Sequence, residues 1–558
     1  MVILYRIAFL LRDEKDFPGA ISVLEESRRL ARLQGDRLRE AFSLADLAHI
    51  EDLRGRELEA IQKFEQALEI VAELKDVAVM ASVLFGRAEA ERDSARLDEA
   101  IASVEESISL VESLRSDLEP NLRIAFFASR HQYYELYVNL LMDKHRRYPE
   151  LGYRAQAFEA AERSRARSLL DVLAGKPSVA AMTLREIQGE VLDRDSLLLS
   201  YQLGEPRSTL WLVARDSITS FDLPGRSKIE SEALRLRERL YEGAGAAEAG
   251  ALSGMLLPAG IEPLGRKRLL IVPDGVLHLV PFAALCEPGL PEGGCRAPLV
   301  LHHEVVHLPS ASVLGRMRSR QASHRPALGL IGVLADPVFE RGDQRLVERI
   351  GEPRPGEGER EPESGLGIER LGRLGFTRKE ADQILQLFPA EERFSALGFS
   401  ASRETALSPA FLSNRILHIA THNLALAHPD LSGLVLSRYD ESGRPVDSFL
   451  GVQEIYGLEL SAELVVLSAC GTGLGREVRG EGVVGLTRAF LHSGAQRVVV
   501  SLWNVRERDT SELMARFYRE LRGGLPAAAA LRSAQASMMS DGYRPRSWAG
   551  FVLHGEPR

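Results

Sequence analysis

Two apolar runs in the C-terminal half of this chain end in residues capable of covalent chemistry. Asn414-Arg-Ile-Leu-His-Ile-Ala-Thr-His422-Asn423 reads as a buried strand running out into a loop, and Ala462-Glu-Leu-Val-Val-Leu-Ser-Ala-Cys470-Gly471 does the same 48 residues later. In open α/β sheets, ligands bind beyond the carboxyl ends of the strands. A thiol and an imidazole delivered there by two strands would meet in a cleft. The thiol needs a base to become a thiolate, and the departing amine needs a proton; an imidazole supplies both. His422 and Cys470 are therefore the candidate general acid/base and nucleophile. His418 lies two alternations back on the same strand and reads as a core histidine.

Other patterns compete for attention. His303-Glu-Val-Val-His307 matches the zinc-protease motif H-E-x-x-H, which works on a helix, where positions i and i+4 share a face. Here the flanks are Pro298-Leu-Val-Leu and Leu308-Pro309, strand-like and closed by proline. Four residues of strand advance about 13 Å, too far for two imidazoles to share one ion. No metal and no organic cofactor are expected. Gly471-Thr-Gly-Leu-Gly475 has Arg476 where a dinucleotide fingerprint needs its third glycine, and it lacks the Lys-Ser/Thr of a phosphate loop. Cys286 and Cys295 have no basic partner nearby in sequence and read as inert thiols.

The elements that must position the pair follow from periodicity. After residue 195 come short apolar runs: Ser196–Leu203, Thr209–Ala214, Arg268–Val272, Leu328–Val333, Ile416–Ala420, Leu464–Leu467 and Arg497–Ser501. Helical patterns lie between several of them, at Arg378–Phe388, Val483–Ser493 and Thr510–Leu521. Near-continuous apolar strands alternating with helices argue for a mostly parallel sheet covered on both faces. Gly351–Gly367 is charged and rich in Gly and Pro, and reads as a disordered loop.

The N-terminal third repeats instead. Gly19-Ala-Ile-Ser-Val-Leu-Glu-Glu-Ser27, Glu59-Ala-Ile-Gln-Lys-Phe-Glu-Gln-Ala67 and Glu99-Ala-Ile-Ala-Ser-Val-Glu-Glu-Ser107 align at a spacing of 40 residues. Leu4, Leu44 and Leu84 share a phase, as do Ala8, Ala48 and Ala88. Small residues at 20/60/100 and 27/67/107 allow close helix approach, with Ile21, Ile61 and Ile101 expected in the seam. Paired helices at a fixed period mark an α-solenoid, and the pattern resembles tetratricopeptide repeats. The chain begins inside a first helix with no polar cap, so further repeats are expected before it. Ala157–Ala174 reads as one more helix, with Phe158, Ala161, Leu169 and Val172 near one stripe and its arginines on a solvated face.

Composition sets outer bounds. The 558 residues suffice for more than one domain, and a net charge of −9 gives no sequence-wide basic field, so no direct nucleic-acid partner is expected. Only eight of the 70 basic residues are lysine, which fits a bacterial coding bias. Three cysteines form no disulfide framework and fit a reducing compartment. There is no signal-peptide architecture and no stretch of about 18 apolar residues, so a cytoplasmic protein without a membrane partner is expected.

Several stretches together resemble a known family. They are Val272-Pro-Asp-Gly-Val-Leu-His-Leu-Val-Pro-Phe-Ala-Ala-Leu285, Ile416–Asn423, Leu467-Ser-Ala-Cys-Gly-Thr-Gly473, Arg479–Phe490, Ser501-Leu-Trp-Asn-Val505 and Trp548-Ala-Gly-Phe-Val-Leu553. They look like a CHAT domain, the caspase-like domain often fused to tetratricopeptide repeats. The small residue before Cys470 and the histidine about 50 positions upstream agree with it. The resemblance implies an α-solenoid over residues 1–175, followed over 180–558 by a caspase-like α/β/α protease domain. It implies Cys470 as nucleophile and His422 as acid/base, with the backbone N–H groups of Asn423 and Cys470 as oxyanion hole. Many members have Gly where this chain has Asn423; Asn keeps the N–H and tolerates unusual backbone angles. The implied activity is that of a regulated bacterial cysteine endopeptidase acting on protein substrates. Its roles would lie in defence or programmed death, gated by a protein or peptide on the repeats. The rival reading is an inactive scaffold. Leu502-Trp-x-Val with a later Asp also resembles separases, which makes Asp509, or alternatively Glu481, the expected acidic residue for a substrate arginine. Asp509 as cap of a helix beginning near Thr510 is the competing assignment.

Overall fold

The computed structural model describes residues 2–114, 130–175, 179–257, 264–265, 267–288, 297–321, 327–351, 371–424, 432–468, 476–478 and 482–558. Beyond Gly351, the expected loop through residue 367 lies outside them. The chain divides into two compact units, Met1–Ser164 with Lys176–Ala181, and Arg165–Gly175 with Met182–Arg558.

The first unit is helical: α1 (Val2–Asp13), α2 (Phe17–Leu33), α3 (Arg37–Leu53), α4 (Glu57–Leu74), α5 (Val77–Asp93), α6 (Leu97–Leu114), α7 (His131–Arg147) and α8 (Tyr153–Arg163). The 40-residue period is kept by the turns as well as by the apolar positions. Left-handed backbone recurs at Lys15, Gly55 and Ala95, and again at Gly35 and Lys75. Asp16, Asp36 and Asp76 each cap the following helix through a backbone N–H three residues on. Ala20, Ala60 and Ala100 are fully buried, as expected of small residues where helices approach. The seam, however, is filled by Leu24, Phe64 and Val104, three residues beyond the expected isoleucines; of those only Ile61 is buried. One turn further along, the apolar side chain lies on the inward face in all three repeats. Phe64, with His49 edge-on at 5.1 Å, is enclosed completely. Phe64→Ala should destabilise the arm by about 3–5 kcal/mol, measured by chemical denaturation of the full chain.

Ala157–Ala174 is not one helix. It breaks at Ser164–Ala166, where Ala166 is left-handed, and α9 (Arg167–Ala174) belongs to the second unit. The break carries Arg165 inward: its guanidinium donates to Ser200 Oγ at 2.6 Å and to the Tyr201 carbonyl. Arg165 and Arg167 are buried rather than on a solvated face, and Val172 is exposed. A guanidinium can be buried when backbone and hydroxyl acceptors meet it, which composition does not reveal.

The second unit is built on one sheet of 11 strands in the order β3-β2-β1-β4-β5-β16-β15-β12-β8-β6-β7. These are β1 (Ser196–Gln202), β2 (Arg207–Ala214), β3 (Ser217–Pro224), β4 (Arg268–Val272), β5 (Val305–His307), β6 (Gly329–Ala335), β7 (Arg393–Leu397), β8 (Asn414–Ala420), β12 (Leu464–Leu467), β15 (Arg497–Ser501) and β16 (Phe551–Gly555). One block, β1-β4-β5-β16, is parallel; so is the other, β15-β12-β8-β6-β7; they join antiparallel at β15 and β16. A small sheet of β9 (His422–Leu424), β10 (Gly433–Val435) and β11 (Phe449–Gly451) stands beside it, with a two-stranded β13 (Arg476–Val478) and β14 (Gly482–Val484). The helix expected from Val483 therefore starts only at Leu486, after β14. The helices used below are α10 (Gln344–Ile350), α11 (Gly375–Leu385), α12 (Leu486–His492), α13 (Glu507–Arg522) and α14 (Pro545–Trp548). Among the described residues, no helix is long and apolar enough to cross a membrane.

Candidate active site

Adjacent parallel strands bring their carboxyl ends to one edge. Ala335 of β6 pairs with Ala420 of β8, and Leu467 of β12 with Ile419. Just past those tips come Asp336, Thr421–His422 and Ser468. Thr421 is buried and donates its hydroxyl to the Val435 carbonyl, which fixes the departure from β8 into β9.

His422 is half-buried. Its Nε2 lies 2.8 Å from the Gly372 carbonyl oxygen, and its ring meets Phe339 at 4.8 Å. A carbonyl only accepts, so Nε2 carries the proton and Nδ1 is the basic nitrogen of the neutral ring. Burial lowers the His422 pKa; the Gly372 bond and the Glu507 carboxylate oppose that shift without cancelling it. The ring is thereby held as a base rather than a cation at neutral pH.

The Gly372 carbonyl is itself anchored by its neighbour. Arg373 donates from Nε and Nη2 to both oxygens of Asp336, at 2.9 and 3.0 Å. Asp336 is buried, left-handed in its backbone, and also met at 2.8 Å by Arg345 of α10. Arg345 in turn holds Asp343 at 2.6 Å. Burial works to raise the Asp343 pKa, but the hydrogen bonds from Arg345 outweigh it and keep the carboxyl below its usual range.

A cavity of about 20 Å³ opens at the same edge, room for about one water. Thr421, Ser468 and Ser501 line it from three strand tips, with Glu380 of α11 and Glu507 of α13. Ser468 Oγ is buried with no partner among the described residues. Glu507 accepts from the Phe376 N–H at 3.1 Å, at the start of α11. Glu380 is buried 3.0 Å from His418 Nε2, off the line of a hydrogen bond, while His418 Nδ1 lies 3.1 Å from the Tyr518 hydroxyl. Burial first, and then Glu380, push the Tyr518 phenol well above its ordinary pKa. His418 is thus a core residue.

The other expected residues fall as follows. Cys470 and Glu481 lie outside the described residues, as do Gly471–Gly475 and Cys295. Asn423 sits in β9 opposite Leu434. Asp509 does not line the cavity: its Oδ2 accepts from Ser547 Oγ of α14 at 2.7 Å. Nor does it cap α13, which starts at Glu507 with Arg506 at the cap position. His303 and His307 diverge. His303 Nδ1 meets the Lys267 carbonyl at 2.8 Å, whereas His307 packs its buried ring against Phe282 and His554. Among the described residues, no cluster of three or more metal-ligating side chains forms. Cys286 departs from expectation: it is disulfide-bonded rather than a free thiol. Residues the sequence reading missed are Gly372, Arg373, Glu380 and Glu507. Asp336 was missed as well, although a carboxylate directly after an apolar strand is a usable signal.

A helical-repeat unit followed by a mostly parallel α/β unit, with histidine at a central strand tip, defines the class of protein. Within it, residues 246–556 match the CHAT domain model and residues 1–73 a tetratricopeptide repeat model. The chain belongs to the CHAT domain family, here with N-terminal tetratricopeptide repeats. Tetratricopeptide repeat protein 28 of Homo sapiens is 27% identical over 326 residues, covering 52% of this chain and 12% of that protein; the protein of that name from Mus musculus matches equally. The chain thus spans about an eighth of the length of these curated relatives. Among solved structures, the Saccharomyces cerevisiae separase–securin complex aligns over 99% of this chain and 46% of that chain, with 11% identity and a TM-score of 0.49. Gingipain R, an Arg-specific cysteine proteinase, aligns over 59% of this chain and 74% of that chain, with 10% identity and a TM-score of 0.33.

Proposed function

We propose that the chain is a cysteine endopeptidase in which His422 activates Cys470, under the control of a protein or peptide docked on the repeats. The observation carrying this reading is the neutral His422 ring, with its Nε2–H bonded to the Gly372 carbonyl. Cys470 follows Ser468, at the tip of the strand beside β8, by two residues. Nδ1 takes the thiol proton as sulfur attacks the scissile carbonyl. The oxyanion is met by the N–H groups of Asn423 and Cys470. The imidazolium then protonates the departing amine, and water hydrolyses the thioester by the reverse route. The test is labelling by a peptidyl acyloxymethylketone, with and without candidate partners. Loss of labelling in Cys470→Ala supports the reading, and equal labelling in that variant overturns it.

Selectivity follows from the two carboxylates at the cavity. Glu507 and Glu380 favour a substrate arginine or lysine next to the cleaved bond, once the cavity widens to admit it. Glu507 is preferred to Asp509 in this role because Glu507 lines the cavity at the strand tips and Asp509 does not. Glu507→Gln should lower cleavage after basic residues about 10-fold or more on a peptide library, while Asp509→Asn leaves the profile unchanged. The reverse pattern would return the role to Asp509.

In the arm, the carboxylates Asp52 and Glu89 lie on the first helices of successive repeats, α3 and α5, and burial first, then the charge of Asp52, raise the Glu89 pKa. We place the regulatory partner on this helix face, where a basic side chain would relieve their shared charge.

A further inference from the structure

We propose that Arg373 and Asp336 form a clamp that places the Gly372 carbonyl against His422 and so selects the ring's orientation and tautomer. Its kinetic consequence rests on the reading of His422 as general base; its structural part does not.

The argument runs outward from the ring. An imidazole on a three-residue strand has two flips and two neutral tautomers. Only a fixed acceptor on one nitrogen removes three of the four states. In Ser-His-Asp sites a carboxylate does this directly. Here the acceptor is a backbone carbonyl, which is uncharged and only as well placed as its segment. That segment, Leu371–Leu374, has no regular structure of its own before α11 begins. Leu371 packs against Phe339 and Val435 and Leu374 is buried, and the residue next to Gly372 is fixed by the fork of Arg373 on both oxygens of Asp336. A planar two-point contact fixes direction as well as distance, which a single bond or a lysine does not.

Asp336 is equally well held. It follows the last residue of β6, paired with the last residue of β8, so it and His422 depart from adjacent strand tips. Arg345 bonds both its carboxylate and its carbonyl oxygen, the latter at 2.7 Å. The left-handed backbone at Asp336, with φ of 54°, is uncommon for a non-glycine residue and persists only where its surroundings impose it. A buried carboxylate, a strained backbone and two arginines are thus assembled one residue away from the carbonyl that touches the ring. Arg373 does not contact His422 through its side chain. It is a positioning residue acting through the peptide unit of Gly372.

The experiment uses the full chain with ¹⁵N-labelled histidine, compared as parent, Arg373→Met and Arg373→Lys. The His422 signal is identified by its loss in His422→Gln. The Arg373 side chain is 41% exposed, so methionine is tolerated there without an interior cavity. The parent should show His422 protonated at Nε2 alone. Arg373→Met should populate both tautomers, lower kcat about 10–100-fold and leave KM within about twofold. The acid limb of its pH–rate profile should move to lower pH, because the carbonyl bond that raises the His422 pKa is weakened. Arg373→Lys keeps one charged donor on Asp336 and should recover part of both effects. An unchanged tautomer in Arg373→Met overturns the clamp. A changed tautomer in a chain that cleaves no peptide keeps the clamp and removes the endopeptidase reading.

Discussion

Alanine in place of His422 should abolish peptide cleavage and probe labelling, lowering kcat/KM by at least about 10³-fold, or about 4 kcal/mol of transition-state stabilisation. The size of the effect follows from the double use of the ring. In the proposed mechanism Nδ1 takes the thiol proton and then protonates the leaving amine, so the variant would lack both the general base and the general acid. The ring would there meet the reacting atoms and not the substrate's side chains, so the loss should appear in kcat rather than in substrate binding. Cys470→Ala should match it, and the double variant should be no worse than either single one, because the two act as a unit. Folding should be spared: His422 is half-buried, and its contacts are one carbonyl and the Phe339 ring. Cys286→Ser should retain cleavage. Activity in His422→Ala within tenfold of the parent would transfer the base function to another group and end the assignment.

A second large effect is expected from acid, with opposite signs in the two units. In the α/β unit His307 is buried, its ring packed against Phe282 and His554, and His278 and His554 are half-buried. Burial above all takes His278 down to about 4, with Asp274 opposing and Arg165 assisting; burial and then repulsion from the neighbouring charged rings take His554 to about 3 and His307 well below its ordinary range. An unfolded histidine titrates near 6.5, so below that pH the unfolded chain binds the extra protons. Stability is complete above about 6.5 and is lost as pH falls toward 4, by about 2 kcal/mol each for His278 and His554 at about pH 5, with His307 acting in the same direction. In the arm the order is reversed. Burial raises Asp46 and Asp52 to about 6 and Glu89 to about 7. These carboxyls bind protons in the folded state that the unfolded chain has released. Their stabilisation is complete below about pH 4 and is lost as pH rises through 6 and 7. His49, lowered to about 4 by burial and then by Arg12, works against them but is one group against three. Calorimetry of the full chain should therefore show two transitions. Between about pH 5 and about pH 7.5, that of the arm should fall by roughly 5 °C and that of the α/β unit rise by roughly 5–10 °C. Two transitions moving together would refute the assignment of these burials.

What was legible in the sequence is what repeats or alternates. The 40-residue phase locates α2, α4 and α6, which each start two residues ahead of the aligned segments, and β4, β12 and β15 match their apolar runs at both ends. Period and hydrophobicity are properties of single elements, and a fully buried parallel strand announces itself as a run. β5 was legible as the strand-like stretch that closes at Pro309, but β7 and β9 to β11 were not, since each is short or mixed in polarity and is stabilised by its neighbours in the ladder. At the site, His422 was readable because it ends a strong run. Gly372, Arg373 and Glu507 were not, because their placement depends on how α11, β6 and α13 meet, which no local pattern encodes. Arg165 shows the same limit: whether an arginine is solvated or buried depends on acceptors 35 residues away.

The strand that joins the two parallel blocks has a consequence for the order of events during synthesis. β16 is last in sequence among the strands of the sheet, yet it sits in the middle, between β5 and β15, and its Phe551 lines the cavity at the strand tips. A nascent chain that has exposed every earlier strand still holds two half-sheets with facing unpaired edges and an open cavity. Inserting β16 closes contacts spanning some 250 residues, a late and slow class of step. The ribosome thus acts as a timer, since the region around His422 is complete only after residue 555 has been translated. Until then β5 and β15 would each present an unpaired strand edge, a template for pairing with another chain.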